Sequence, residues 1–308
     1  MGSSYLDLLE KGELERRVEE GYDLLGSCRV CPKSCGVDRL RDEKGFCRSG
    51  FLPMVASYTL HYGEEPPLSG IRGSGTIFFS NCNMRCVYCQ NYPISQLGAG
   101  RIVGLEDLSK MMLSLQERGA HNINLVTPSH FVPQILAALL LGARAGLRLP
   151  LVYNTSGYDG LDSLRLLEGV CDMYLADFRY FDSHMALKYS ATENYPQVAR
   201  VAIEEMYRQV GYLILSPEGI AQRGLIVRHL ILPNDIAGTS KVLHSLLSEI
   251  SPELYLSVMS QYFPAYNAFD YPELSRRISW DEHQAALGII DQIGISNGWI
   301  QEVEAEVK

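Results

Sequence analysis

The chain has 308 residues, of which 46% are hydrophobic and 20% are charged, a composition typical of a globular protein with one large domain or two smaller ones. Its formal net charge is −9 and its basic residues are scattered, so we expect no nucleic-acid partner. The sequence contains no apolar run that could cross a bilayer and no apolar signal core near its N-terminus. We therefore expect no membrane contact and a cytoplasmic location.

The first predicted element is an amphipathic helix over residues 5–25, and a cysteine-rich stretch follows it. The four cysteines of this stretch are Cys28, Cys31, Cys35 and Cys47. In a cytoplasmic protein such a group is more typical of metal ligands than of disulfides. Four thiolates at this spacing suit either a zinc ion or an iron–sulfur cluster. A structural metal is our preferred interpretation.

A loop-like segment, HYGEEPPLSGIRGSG, comes next and is rich in Gly, Pro and Ser. It predicts a domain boundary near residue 74, so that residues 1–74 form a helical, cysteine-rich, metal-binding extension and residues 75–308 form the main domain. Glu64 and Glu65 in this segment are adjacent carboxylates that could do acid–base work. Solvation in a surface loop is the preferred interpretation of both.

Short apolar runs then alternate with helical patterns. Strands are predicted at 76–80, 122–126, 149–154, 173–177, 225–232 and 254–259, and helices at 105–118, 132–145, 161–168, 198–209, 241–250 and 281–293. This alternation indicates an α/β protein with a parallel sheet, either doubly wound or closed into a partial barrel. Both folds bind ligands at the carboxyl ends of their strands.

A second cysteine motif follows the first of these strands directly. Cys82, Cys86 and Cys89 have the spacing C-x3-C-x2-C. Three thiolates on one loop can each bind one iron of a cubane cluster, and the fourth iron is then left without a protein ligand. An open position of this kind is what a catalytic metal centre needs. A structural loop, or a zinc site short of one ligand, is the alternative that the position of the motif disfavours.

The motif, with the aromatic Tyr88 just before its last cysteine, resembles the signature of the radical S-adenosylmethionine (radical SAM) superfamily. The resemblance implies a partial (β/α)6 TIM-like barrel and a [4Fe–4S] cluster whose open iron is chelated by the amino and carboxylate groups of SAM. It implies an anaerobic reaction in which an electron donor, such as flavodoxin or ferredoxin, reduces the cluster. SAM then yields methionine and a 5′-deoxyadenosyl radical, which takes a hydrogen atom from a substrate.

Longer segments, among them VTPSHFVPQI, VYNTSGYD, LADFRYFD and VRHLILPN, are similar to relatives of pyruvate formate-lyase activating enzyme. That resemblance implies an activating enzyme whose substrate is a partner protein. The cysteine-rich extension departs from the pattern of those enzymes, so a small molecule or another peptide is the alternative substrate. Two further alternatives lack SAM chemistry altogether: an iron–sulfur electron carrier and a zinc-binding scaffold.

Polar residues follow the second and third predicted strands. The superfamily commonly carries a Gly-Gly-Glu stretch after the second strand, and here Thr127 and Ser129 stand in its place. They could supply acceptors to the SAM amino group, although Ser129 could equally cap the following helix. Asn154 and Ser156 follow the third strand and suit the ribose hydroxyls or the carboxylate of SAM. A polar turn is the alternative for these two residues.

The remaining strands end in further candidates. Asp177 and Arg179 resemble an Asp-x-Lys pair that contacts SAM in the activating enzymes, and an ion pair closing the barrel is the alternative. Of the neighbours Arg228 and His229, strand alternation turns only one into the barrel. Gln261, after the last strand, is placed for a contact with adenine or with substrate. No catalytic residue is assigned from the sequence.

Overall fold

The computed structural model describes residues 3–295 and 297–301. The helices are α1 Tyr5–Glu10, α2 Glu13–Asp23, α3 Pro66–Ser69, α4 Tyr92–Ser95, α5 Leu105–Glu117, α6 Val132–Arg144, α7 Leu161–Leu166, α8 Ser183–Ser190, α9 Tyr195–Val210, α10 Thr239–Ser245 and α11 Trp280–Ile293. The strands are β1 Met54–His61, β2 Ser74–Phe79, β3 Arg101–Ile102, β4 Ile123–Val126, β5 Leu151–Thr155, β6 Met173–Asp177, β7 Ile214–Leu215, β8 Ala221–Leu230, β9 Tyr255–Met259 and β10 Gly298–Ile300.

The order of the strands decides between the two folds that the sequence allows. It is β10-β9-β8-β6-β5-β4-β2-β1-β3, and β7 pairs with β8 beside this path. The strands from β2 to β9 on this path are parallel and lie beside each other in chain order. A doubly wound sheet reverses its order at a switch point, whereas the parallel strands from β2 to β9 keep one direction of winding. The predicted partial TIM-like barrel is therefore confirmed.

Local sequence patterns account for most of the element boundaries. Each predicted strand and helix of the barrel is present, with ends shifted by a few residues. Ser279 caps the start of α11 in a capping box. Its hydroxyl accepts from the Glu282 N–H, and the Glu282 carboxylate accepts from the Ser279 N–H. The predicted helix over residues 5–25 is divided into α1 and α2 at Gly12, whose φ of +69° is left-handed.

A membrane span is absent from the part of the chain that the structure describes. None of the helices within residues 3–295 and 297–301 combines the required length with the required apolar character.

The barrel interior has an apolar floor beneath a polar layer. Val152, Leu175 and Ile226 point inward from three neighbouring strands and pack with Leu68 of α3. Leu68 reaches them because β1 runs antiparallel to β2, which delivers the chain to the amino-terminal end of the barrel. The segment after β1 thus closes the bottom of the barrel, while the strands' carboxyl ends lie at the opposite end.

The N-terminal residues pack directly on the barrel helices. The helix α2 lies against α6 and α7, and the Ser163 hydroxyl donates to the Val30 carbonyl at 2.6 Å. Arg39 is fully buried and donates to the carbonyl oxygens of Gly50 at 3.0 Å and His130 at 2.6 Å. These contacts bring the cysteine-rich stretch up to the carboxyl end of the barrel.

Candidate active site

The loop that carries the C-x3-C-x2-C motif is held at both sides by backbone hydrogen bonds. At its start, Asn81 has a φ of +69° and donates its N–H to the Ile94 carbonyl at 2.9 Å. In its middle, the N–H groups of Arg85 and Val87 donate to Ser190 and Tyr189 at 3.0 and 2.9 Å. A loop tied down in this way presents its cysteines in a defined arrangement.

Each cysteine of the motif has a polar neighbour at its sulfur. The Ser190 hydroxyl donates to Cys86 Sγ at 3.0 Å, and Cys89 Sγ lies 3.0 Å from the Ser95 hydroxyl. Cys82 Sγ accepts from the Met84 N–H at 3.4 Å. Hydrogen bonds of this type to the sulfurs are among the means by which a protein tunes an iron–sulfur cluster.

The thiols of the motif lie close enough to act on one another electrostatically. Burial raises the pKa of the Cys82 thiol to about 12, and the neighbouring Cys86 and Cys89 add to this rise. The pKa of Cys89 is also raised, first by burial and then by Cys86. A thiolate is the form that binds iron, so a bound cation would favour deprotonation of Cys82 and Cys89.

The cysteines of the motif suit a cubane better than a single ion. Among the described residues, no three Cys, His, Asp or Glu side chains converge on one point as the ligands of one metal ion do. In a cubane each thiolate binds a different iron, so three cysteines around a shared space suffice. The donor set and the hydrogen bonds to sulfur fit this requirement.

Asp177 and Arg179 lie beside Cys86. Arg179 Nη2 donates to Asp177 Oδ2 at 2.6 Å, and Arg179 Nη1 is 3.8 Å from Cys86 Sγ. Burial alone would raise the pKa of Asp177, but the Arg228 and Arg179 guanidiniums outweigh it and hold that pKa below its usual value. The carboxylate is therefore ionised at neutral pH and orients both guanidiniums.

Two buried polar atoms near this pair lack a hydrogen-bond partner among the described residues: Ser156 Oγ and Arg179 Nε. Ser156 follows β5 and Arg179 follows the neighbouring strand β6. The Tyr195 hydroxyl joins the two segments, since it donates to the Ser156 carbonyl at 2.8 Å and accepts from the Arg179 N–H at 2.8 Å. Buried polar atoms are nearly always paired, so unpaired ones indicate a missing ligand or water. These two atoms fit the polar groups of SAM.

Gly157 lies where the turn after β5 passes close to the end of β6. Its φ is +77°, and a Cβ at this position would lie 2.4 Å from the Asp177 carbonyl oxygen. Only glycine accommodates both the left-handed conformation and this approach.

Glu64 is a site residue that the sequence interpretation missed. The expectation that Glu64 and Glu65 are solvated is wrong, because both carboxylates enter the barrel from its floor. Glu64, whose side chain is 9% exposed, accepts from the amides of Asn124 and Asn154 at 2.9 Å each. Glu65 is also buried and accepts from the Ser257 hydroxyl. The signal available in the sequence was weak, since the segment looks like a surface loop.

The other strand-end candidates are divided between the interior and the wall of the barrel. The side chain of Asn154 lies inside the barrel, where its amide donates to Glu64 and its carbonyl oxygen accepts from Arg228. Thr127 has a φ of +60° and donates its N–H to the Asn154 carbonyl. Ser129 lies in the wall, with its hydroxyl 3.1 Å from that of Thr155, and it makes no side-chain cap for α6.

Tyr88 and Gln261 differ in their exposure. Tyr88 is buried and accepts from the Tyr180 hydroxyl at 2.6 Å. Gln261 is exposed, and its carbonyl accepts from Gln90 at 3.2 Å.

His229 faces away from the barrel interior, with Nδ1 2.8 Å from the Phe178 carbonyl, while Arg228 points inward as alternation requires.

The N-terminal cysteines lie next to the cysteine loop. Cys28, Cys31 and Cys47 are buried and Cys35 is exposed. Burial, with smaller contributions from the thiols of Cys47, Cys28 and Cys35, raises the pKa of Cys31 to about 12. These four side chains are therefore near neighbours.

Three contacts fasten the segment around Cys47 to the loop. They are Arg85 Nη2 to the Phe46 carbonyl at 2.6 Å, Asn81 Nδ2 to the Ser49 hydroxyl at 3.2 Å, and Arg48 to the Gln96 carbonyl. The two cysteine groups are thus parts of one packed region.

Comparison with known proteins finds one relative in sequence and several solved structures that resemble the chain. No family model matches the chain. The chain is 27% identical over 297 residues to the uncharacterized protein MJ0674 of Methanocaldococcus jannaschii, and the match covers 94% of this chain and 82% of that protein.

Solved structures with a similar fold include HydG, a maturase of the [FeFe]-hydrogenase, with a TM-score of 0.47, 12% identity and coverage of 71% of this chain and 48% of HydG. Methylornithine synthase (PylB) has a TM-score of 0.44 and 15% identity, and the match covers 73% of this chain and 71% of PylB. The chain spans about half the length of HydG.

Proposed function

We propose that the protein is a radical SAM enzyme that holds a [4Fe–4S] cluster on Cys82, Cys86 and Cys89. The observation that carries this proposal is the three-cysteine loop at the carboxyl end of the barrel, with the unpaired atoms Ser156 Oγ and Arg179 Nε close by. When bound and reduced, such a cluster supplies the electron that splits SAM into methionine and a 5′-deoxyadenosyl radical, which abstracts hydrogen from the substrate.

In this proposal Arg179 binds the carboxylate of SAM. A guanidinium is a planar fork that matches a carboxylate, and Arg179 retains donors beyond the one given to Asp177. Asp177 holds that guanidinium in place, and Ser156 offers a free hydroxyl to the nucleoside or the amino acid part. Thr127, Asn154, Gln261 and Tyr88 remain proposed SAM contacts. Ser129 remains one through its backbone groups, because its hydroxyl already contacts that of Thr155.

The proposed substrate is a glycine residue of a partner protein, as for a glycyl-radical-activating enzyme. This rests on the similarity of several segments to pyruvate formate-lyase activating enzyme relatives. A small molecule or a peptide is the alternative, because the cysteine-rich extension departs from that group. Flavodoxin or ferredoxin is the proposed electron donor.

The four N-terminal cysteines are proposed to hold a second metal centre, either another iron–sulfur cluster or a zinc ion. The cluster fits the described side chains better, because no three of them converge on one point as the ligands of a single ion do. Their mutual proximity supports a shared centre, and the exposure of Cys35 leaves one corner open to solvent. The contacts between the Cys47 segment and the cysteine loop would let an iron–sulfur centre there exchange electrons with the first. A zinc ion would instead stabilise the fold of the extension.

The test is to reconstitute the purified protein anaerobically with iron and sulfide, add dithionite and SAM, and measure 5′-deoxyadenosine. The expected result is SAM-dependent formation of 5′-deoxyadenosine and methionine. An intact, reduced cluster that forms no product and binds no SAM would instead indicate an electron carrier. Purification with zinc, and failure to take up iron, would indicate the zinc-binding scaffold.

A further inference from the structure

Arg228 is the centre of a buried polar chain that runs up the inside of the barrel. Its Nε donates to Asp177 Oδ1 at 2.8 Å, its Nη1 to Glu64 Oε1 at 3.1 Å, and its Nη2 to Asn154 Oδ1 at 2.9 Å. Each nitrogen of the guanidinium therefore has an acceptor. This full set of bonds leaves the side chain one available orientation.

The chain of contacts extends from Arg228 to the cysteine loop. Asp177 gives its second oxygen to Arg179 at 2.6 Å, and the other terminal nitrogen of Arg179 is 3.8 Å from Cys86 Sγ. Glu64 at the floor of the barrel and Cys86 at the top are thus joined through Arg228, Asp177 and Arg179.

Glu64 and Asp177 are the two carboxylates that form ion pairs with Arg228. Two guanidiniums, Arg228 and Arg179, face two carboxylates, Glu64 and Asp177. The side chains of Glu64, Asp177 and Arg228 are 9%, 10% and 17% exposed, so water screens them weakly. Without the Glu64 charge, Arg228 would keep Asp177 as its sole ion-pair partner in the described part of the chain, in competition with Arg179. A buried ion pair that loses one partner leaves an uncompensated charge.

We infer that Glu64 is a positioning residue for the proposed SAM site, acting through Arg228 and Asp177 on Arg179. It touches neither the cysteines nor the unpaired atoms of the site. Its function is to complete the acceptor set that fixes Arg228 and, through it, the carboxylate that orients Arg179. This inference rests on the proposed function, since Arg179 is there assigned to the SAM carboxylate.

Glu65 provides a matched control on the same loop. Its carboxylate is buried as deeply, but it accepts from Ser257 at 3.1 Å and makes no hydrogen bond to Arg228 or Asp177. Arg228 also acts electrostatically on Glu65. Glu65 therefore matches Glu64 in burial and in its proximity to the Arg228 charge, and differs from it in hydrogen bonding. Replacing either Glu by Gln keeps the size of the side chain and removes the charge.

The experiment compares wild type, Glu64→Gln and Glu65→Gln after anaerobic reconstitution. Iron content and the EPR spectrum of the reduced cluster report on the cluster, and the change in that spectrum as SAM is added gives the affinity for SAM. For Glu64→Gln we expect wild-type iron content and a SAM affinity weakened on the order of tenfold, the usual size of an effect through a supporting residue. For Glu65→Gln we expect an affinity within about twofold of wild type.

The outcomes separate this inference from the proposed function. If wild type shows no spectral response to SAM, the proposed function fails and the inference fails with it. If wild type responds and Glu64→Gln binds SAM equally well, the inference alone is overturned. Should Glu64→Gln not fold, Glu64→Asp decides: it keeps the charge but shortens the reach, so a wild-type affinity in this variant would overturn the positioning role.

Discussion

Arg179 Nη1 lies 3.8 Å from Cys86 Sγ, while its Nη2 is bound to Asp177 and its Nε has no partner among the described residues. One guanidinium thereby links the wall of the barrel, the cysteine loop and a site for a ligand. A positive charge next to a cysteine sulfur, together with an unused donor in the same group, is an arrangement suited to an anionic ligand beside the proposed cluster.

The first prediction concerns this guanidinium. Replacing Arg179 by Met keeps the length and removes both the charge and the donors, so we expect SAM to bind about tenfold to a hundredfold more weakly. Iron content should remain near that of wild type, because Arg179 is not a ligand. The measurement is SAM affinity from EPR titration of the reduced cluster. Unchanged affinity would remove Arg179 from the proposed SAM site.

The second prediction concerns the cluster ligands. Cys86→Ala should abolish both the cluster and the formation of 5′-deoxyadenosine, because two thiolates cannot hold the cubane in place of three. The control is Cys171→Ala, since Cys171 is a buried cysteine of the sheet region outside both cysteine groups. Iron content and product formation should survive in that control. A cluster that persists in Cys86→Ala contradicts the ligand assignment.

The third prediction concerns the extension. Replacing Cys31 by Ala removes a buried thiol of the N-terminal group, so we expect loss of that group's metal and a lower thermal unfolding midpoint. The EPR signal of the Cys82 cluster should remain, because its ligands are intact. Metal analysis of wild type against this variant identifies the lost element as zinc or iron. An unchanged metal content would show that the N-terminal cysteines hold none.

The fourth prediction separates crowding at Gly157 from conformational strain alone. Gly157→Ala places a Cβ 2.4 Å from the Asp177 carbonyl at a left-handed φ. Gly119→Ala meets the same left-handed conformation with nothing within 4 Å. We expect Gly119→Ala to cost about 1 kcal/mol and Gly157→Ala to cost about 3 kcal/mol or more. Denaturant unfolding midpoints check this, and equal costs would show that the strand ends can separate freely.

The fifth prediction concerns the pH dependence of stability. Burial raises the pKa of Glu65 in the folded protein and outweighs the lowering effect of the Arg228 guanidinium. The folded state therefore binds this proton more tightly than the unfolded chain, and the free energy of unfolding falls as pH rises above about 4.3, the unfolded value. Glu65→Gln lacks this proton. We expect its stability relative to wild type to increase with pH from about 4 upwards, and a constant difference in unfolding free energy would contradict the raised pKa.

The sequence by itself determined the secondary structure of the barrel and the cysteine groups, because both are local properties. Strand β6 was predicted with its observed bounds, Met173–Asp177, since a buried parallel strand is a continuous apolar run. The C-x3-C-x2-C loop is equally local. Its position after the first barrel strand was enough to predict a site at the carboxyl end of the sheet, and the strand-end residues Asp177 and Arg179 were found beside it for the same reason.

The tertiary structure decided the winding of the sheet and the surroundings of each candidate. The direction of winding depends on which strands pair, and the apolar sequence of a strand does not predict which strand will lie beside it. Glu64 and Arg228 are 164 residues apart in sequence, and a Glu in a Gly- and Pro-rich segment looks solvated until β1 turns that segment under the barrel. Ser129 and Ser156 both follow a barrel strand, but packing gave the Ser129 hydroxyl a partner and left that of Ser156 without one among the described residues.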